Sequence, residues 1–263
     1  MRFTKMQGLG NDYLYVFGEV PPDAAELSVR LSDRHFGVGS DGMIFIGPSA
    51  TADFSMRIFN ADGSEAKMCG NGIRCVGKYV YERGHTAKTD LSVETLSGIK
   101  RLKLDVADGK VRSVSVSMGS AEAGGDARLE IAGREIVCTP VSVGNPHAVI
   151  FVDDIEGTPV TELGPVIEHD AFFPGGVNVE FVRFMAPQKL RMRVWERGSG
   201  VTLACGTGAC ASAAAAVKKG LCRSGSPITV LLDGGPLEIV VDGEYNVTMN
   251  GPAGFVCEGE TLL

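Results

Sequence analysis

Arg57-Ile58-Phe59-Asn60 leads into Met68-Cys69-Gly70-Asn71-Gly72, and Arg193-Val194-Trp195-Glu196 leads into Ala204-Cys205-Gly206-Thr207-Gly208. Cys205 stands 136 residues after Cys69. Each stretch reads as a strand, a loop, a Cys-Gly-x-Gly and then a helix. Working outward, Gly10-Asn11-Asp12 precedes the apolar run Tyr13–Phe17, and Gly144-Asn145-Pro146-His147 precedes Ala148–Val152, at an offset of 134. The landmarks come in the same order at almost the same spacing. This predicts a duplicated domain with its junction near residues 115–125.

The helix after Gly70 runs to about Arg83, with Ile73, Val76 and Val80 on one face, and Gly84 ends it. The helix after Gly206 is Ala-rich from Ala209 to Ala216, small enough to be buried centrally, and ends near Lys219 and Gly220. Two shorter helices are expected near Pro22–Arg34 and Thr161–His169. Strands are expected at Met43–Ile46, Phe54–Phe59, Lys100–Val106, Val111–Met118, Asn178–Phe184, Leu190–Trp195, Ile228–Leu232, Leu237–Val241 and Val247–Met249.

The chain has 263 residues, 25 basic against 32 acidic, hence a net charge of −7. The acidic balance argues against general nucleic-acid binding. No apolar run approaches the roughly 20 residues of a membrane span. The opening Met1–Met6 is not followed by the apolar core of a signal peptide, and a cytoplasmic location is expected. Seven cysteines without a framework-like spacing fit free thiols in a reducing compartment. Thirty-five glycines are nearly twice the usual share of about 7%. Gly37-Val38-Gly39-Ser40-Asp41-Gly42 matches Gly-x-Gly-x-x-Gly, but it follows a helix and precedes a strand, the reverse of a dinucleotide site. It reads as a turn-rich loop.

Cys69 and Cys205 both fall at a helix start, where unpaired N–H groups and the macrodipole stabilise a thiolate and lower a thiol pKa. The glycines beside them let backbone amides face an anion. Cys75 and Cys210 complete Cys-x5-Cys and Cys-x4-Cys, which are not zinc spacings, so no metal is expected. Cys138, Cys222 and Cys257 read as incidental, and His35, His85 and His169 as surface or capping residues. His147 lies inside a repeat landmark and is a functional candidate.

Phe59–Ser64 with Met68–Cys75, Gly144–His147, Glu196-Arg197-Gly198 and Ala204–Cys210, together with Lys5–Asp12, resemble the signature segments of the diaminopimelate epimerases. The resemblance runs in order over the whole chain. It implies an α+β fold of two pseudo-symmetric domains, each a strongly curved, mainly antiparallel sheet around a central helix. The boundaries expected are 1–117 and 118–250, with a tail at about 251–263 that packs back on the first, and the active site in the cleft between domains.

The activity implied is interconversion of LL- and meso-diaminopimelate without a cofactor, on the route to lysine and cell-wall precursors. The family assigns the acid–base work to the residues matching Cys69 and Cys205. It assigns tuning of the thiols to those matching His147 and Glu196. Substrate contacts fall to Asn11, Asn60, Gly70, Asn71, Asn145, Asn178, Glu196, Arg197, Gly206 and Thr207.

Such chemistry is coherent, because inverting an α-carbon takes one base on each face. Two departures stand out. Gly42 aligns where many members carry a Gln in a contact loop, and Cys257 where some carry a Tyr tied to dimer formation. The resemblance still implies a homodimer. Other readings of the cysteine pair are a proline racemase-like isomerase, whose first motif tends to Cys-Gly-His, and a redox sensor that closes a Cys69–Cys205 disulfide.

Overall fold

The computed structural model of the protein describes residues 1–131 and 133–262. It forms two units, Met1–Val116 with the C-terminal stretch from Gly251, and Ser117–Asn250. Each unit is built by the same succession of elements.

In the first unit, Arg2–Gly8 and Asn11–Phe17 form an antiparallel hairpin with Gly8 opposite Asn11. Helix α1 (Ala24–Ser32) then crosses over to Gly42–Gly47, which lies parallel to Asn11–Phe17. Phe54–Asn60 returns antiparallel, placing Asn60 opposite Gly42. After the short strand Glu65–Ala66 comes helix α2 (Gly70–Glu82). Asp90–Thr95 rejoins the sheet parallel to Phe54–Asn60, and Gly98–Ala107 and Lys110–Ser120 complete an antiparallel meander. Asp108 and Gly109 both take positive φ at that last hairpin, as an Asp-Gly turn of this handedness requires.

The second unit repeats the plan. Arg134–Ser142 pairs antiparallel with Pro146–Phe151. Helix α3 (Val160–Glu168) crosses over to Asn178–Ala186, parallel to Pro146–Phe151 with His147 opposite Asn178. Lys189–Glu196 returns antiparallel, and the short strand Gly200–Val201 leads to helix α4 (Gly206–Lys218). Ile228–Leu232 then lies parallel to Lys189–Glu196, followed by Gly235–Val241 and Asn246–Gly251. In both units the parallel pairings are the ones bridged by helices, because a parallel connection needs a crossover.

The two central helices are buried for different reasons. α2 presents Ile73, Cys75, Val76 and Val80 to its sheet. α4 is buried from Ala209 through Ala216, and its small side chains let strands pack closely around it. No helix among the described residues is long and apolar enough to cross a membrane.

Two strands had little local signal, Arg2–Gly8 and Gly254–Glu260. They pair antiparallel with Phe3 opposite Gly259. Arg74, fully buried in α2, holds the chain just before this C-terminal strand by donating from Nε to Pro252 O at 3.1 Å, and its Nη1 donates within the helix to Gly70 O at 3.1 Å. The glycine-rich loop 37–42 closes the end of α1, with the N–H groups of Val38 and Gly39 donating to Leu31 O.

Candidate active site

Cys69 and Cys205 occupy the same place in the two units, the N-cap of α2 and of α4. Both have extended backbone, and each sulfur accepts the N–H three residues on, from Gly72 and from Gly208, at 3.3 Å. The sequence dictates this cap. The residues after each cysteine are small enough for the first helical turn to sit under the sulfur. Gly70 and Asn71, and Gly206 and Thr207, are the first residues of their helices, so their amides stand at the N-terminal ends of α2 and α4.

The surroundings of the two sulfurs differ. In the first unit the Cys69 thiol donates to Asn11 Oδ1 at 3.4 Å. Asn11 Nδ2 in turn donates to Asp41 Oδ2 at 2.8 Å, and the same oxygen takes the Asp12 N–H at 3.0 Å. Arg34 and Lys5 balance these carboxylates, with Lys5 Nζ 2.7 Å from Asp12 Oδ2 and Arg34 Nη2 3.1 Å from Asp41 Oδ1. Burial pushes the Asp41 carboxyl above the ordinary carboxylate range. Asn60, at the end of its strand, donates from Nδ2 to Ser64 Oγ at 3.0 Å and accepts from Tyr13 OH at 3.4 Å. Behind α2, Tyr15 OH donates to Gly72 O, and burial raises the Cys75 thiol to about 11.

In the second unit Cys205 is buried among polar groups. Its sulfur lies 3.5 Å from Thr207 Oγ1. Asn145 Nδ2 donates to that hydroxyl at 3.3 Å, and Asn145 Oδ1 lies 3.1 Å from His147 Nε2. The other ring nitrogen of His147 is 2.7 Å from Glu180 Oε1. Glu196 accepts from Thr202 Oγ1 at 2.5 Å, and burial raises its carboxyl above the ordinary range. Asn178 donates to Pro146 O at 3.2 Å and accepts the Arg197 N–H at 2.9 Å. Arg197 is exposed, and its guanidinium donates to Gly175 O at 2.9 Å.

The expectation that a helix start lowers both thiols does not hold for Cys205. Its thiol is pushed well above the ordinary value, first by burial and then by the negative charges of Glu196 and Glu180. Thr207 and the Gly208 N–H oppose this and are outweighed. This favours the thiol form of Cys205.

In the second unit the structure links Cys205, Thr207, Asn145 and His147 in one chain of contacts and sets Asn178 against the backbone of Pro146 and Arg197, while the Arg197 guanidinium turns to the loop at Gly175. In the first it gathers Asn11 and Cys69, with Gly70 and Asn71 next to Cys69 at the start of α2, while Asn60 bonds to Tyr13 and Ser64. Three acidic residues escaped the sequence reading. Asp41 orients Asn11, Glu180 pairs with His147, and Glu168 accepts the N–H of Gly198 beside Arg197 at 3.0 Å. For Glu180 a signal existed, a lone charge in the apolar run Val179–Val182.

The family model described as diaminopimelate epimerase matches residues 3–123 and 139–256. The chain belongs to the diaminopimelate epimerase family. Relatives named diaminopimelate epimerase from Acetivibrio thermocellus and Bacillus subtilis are 51% and 49% identical, each covering 100% of this chain and 99% of its own. Among solved structures, a probable proline racemase from Agrobacterium radiobacter K84 superposes with a TM-score of 0.80 at 18% identity, covering 100% of this chain and 93% of that one. A phenazine biosynthesis protein of the PhzF family from Bacillus anthracis gives 0.79 at 17%, covering 100% and 99%. At that identity these two share the fold.

Proposed function

We propose that this enzyme interconverts LL- and meso-diaminopimelate with Cys69 and Cys205 as its two acid–base groups. One observation carries the reading: two sulfurs at repeat-related helix N-caps, each accepting a backbone N–H at 3.3 Å. Inversion at an α-carbon needs a proton removed from one face and another delivered to the opposite face, and each half of the chain supplies one thiol for this.

In one direction the Cys69 thiolate takes the α-proton. The C–H electron pair passes into the α-carbon and its carboxylate, and the Cys205 S–H bond breaks to deliver a proton to the other face. Cys69 ends as thiol and Cys205 as thiolate, and the opposite direction starts from that state. The step balances in protons alone. Growing negative charge on the substrate carboxylate is met by the N-terminal amides of α2 and α4, around Gly70-Asn71 and Gly206-Thr207.

His147 and Glu196 tune Cys205. Asn11, Asn60, Asn145 and Asn178 supply neutral donors and acceptors for the substrate's ammonium and carboxylate groups. Arg197 takes the distal carboxylate with its planar fork. We further place the enzyme in the cytoplasm as a homodimer.

The test is deuterium wash-in at the α-carbon of diaminopimelate, run beside proline. The wild type is expected to exchange diaminopimelate and not proline, and Cys69→Ala and Cys205→Ala each to abolish epimerisation. Near wild-type turnover in either variant overturns the two-thiol assignment.

A further inference from the structure

Glu180 is wholly buried in the strand Asn178–Ala186. Its Oε1 lies 2.7 Å from His147 Nδ1, and its Oε2 meets no hydrogen-bond partner among the described residues. The same Oε1 fills the space a side chain on residue 208 would need, since a Cβ on Gly208 would lie 2.6 Å from it and 3.2 Å from Cys205 Sγ. A carboxylate this deep is costly unless paired, and its one partner is a histidine that leads toward the reacting sulfur.

The path can be followed atom by atom. Asn145 Nδ2 donates to Thr207 Oγ1, which turns Asn145 Oδ1 toward His147 Nε2. An amide oxygen only accepts, so Nε2 donates to it, and the short contact of Nδ1 with the carboxyl of Glu180 shares a second proton between them. Thr207 Oγ1 then stands 3.5 Å from Cys205 Sγ.

We propose that Glu180 is a positioning residue of the reaction, its buried carboxylate fixing His147 and, through Asn145 and Thr207, the polar groups around the sulfur of Cys205. The inference rests on the two-thiol reading above. Two carboxyl groups act on Cys205, Glu180 and Glu196 on Lys189–Glu196, and His147 on Pro146–Phe151 contacts the first of them. The first turns of α4 carry no charged side chain. Removing the charge of Glu180 therefore moves Cys205 toward thiolate at lower pH, the direction opposite to its effect in the intact site.

The experiment compares wild type, Glu180→Gln and Glu180→Asp by steady-state kinetics and by iodoacetamide alkylation mapped to each cysteine against pH. For Glu180→Gln, kcat is expected to fall about tenfold or more, the scale of one charge-assisted hydrogen bond, with KM changed less than about twofold. The Cys205 alkylation profile is expected to move to lower pH while that of Cys69 stays, and Glu180→Asp to restore part of the Cys205 profile. Unchanged kcat, or profiles for the two cysteines that move together or not at all, overturns the proposal.

Should Glu180→Gln not fold, nitrogen-15 spectra of the wild-type histidines decide it. A protonated His147 Nε2 supports the relay, and a bare Nε2 overturns it. The alkylation and the spectra need no substrate. If wild type fails to exchange the α-proton of diaminopimelate, the two-thiol reading falls while the placement of Glu180 is judged separately.

Discussion

Trp195 Nε1 donates to Glu168 Oε2 at 2.7 Å, and the other oxygen of that carboxylate takes the Gly198 N–H at 3.0 Å. One buried side chain at the end of α3 thus fastens both sides of the bend that carries Glu196 and Arg197. The indole packs so closely on α3 that a Cβ on Gly164 would lie 2.4 Å from its Cγ.

Glu168→Ala is expected to destabilise the protein by about 1–3 kcal/mol, since the half-buried indole N–H and the Gly198 N–H lose their acceptor. Trp195 is the only tryptophan of the chain, so its emission reports the site directly. We expect a red shift and a raised KM. Unchanged emission and thermal midpoint would show that the bend holds without Glu168.

For Cys205 the sign of the pH effect follows from its neighbours. Burial, Glu196 and Glu180 hold its proton beyond the ordinary thiol value of 9.0. Alkylation, which needs the thiolate, is expected to begin at higher pH for Cys205 than for a free thiol. Glu196→Gln removes one of the two charges and is expected to move that onset to lower pH. The stability linked to the raised thiol is present below its unfolded value and is lost as pH rises through the folded one. Peptide-mapped alkylation rates check this, and a Cys205 profile that does not respond to Glu196→Gln refutes it.

Helices α2 and α4 were legible because a cap, small residues and a 3.6-residue period all lie within one short stretch. Lys100–Val106 was legible from alternation alone. Arg2–Gly8 and Gly254–Glu260 were not, since their pairing joins the two ends of the chain and neither carries a strong local pattern. The site divides the same way. Cys69, Cys205, Asn11 and His147 stand in local motifs, whereas Asp41, Glu168 and Glu180 act on residues about thirty positions away. The lowered thiol expected at both helix starts is a local rule, and at Cys205 burial and the carboxyl groups of Glu196 and Glu180 override it.

Arg197→Lys tests the distal end of the substrate. Lysine keeps the charge but not the planar fork, so kcat/KM is expected to fall about ten- to a hundredfold, the value of a charge-assisted hydrogen bond. Arg197 also donates to Gly175 O at 2.9 Å, so part of the loss reflects a looser loop beside it. Thermal midpoint and kinetics measured on one preparation separate the two. A destabilisation that accounts for the whole loss removes Arg197 from substrate binding.

Gly42 is the place where resemblance and geometry diverge. The resemblance implies a Gln in many members at the position of Gly42, yet here the position has no room for a side chain. Gly42 has φ +151°, and a Cβ on it would lie 2.2 Å from Phe59 O, 2.9 Å from Asn60 Cα and 2.9 Å from Tyr13 Cε1. Two of these are backbone atoms of the strand opposite, so relief would break the pairing of Gly42 with Asn60. Gly42→Gln is therefore expected to destabilise by about 1–3 kcal/mol from backbone strain alone. Displacement of Tyr13 and Asn60 should raise KM as well. Gly42→Ala should behave nearly the same, because the clash arises at the first side-chain atom. Thermal unfolding of both variants checks it. A Gln variant as stable as wild type, with tighter substrate binding, would show that this loop takes the other family arrangement freely and that glycine here is a loss of contact with no structural demand behind it.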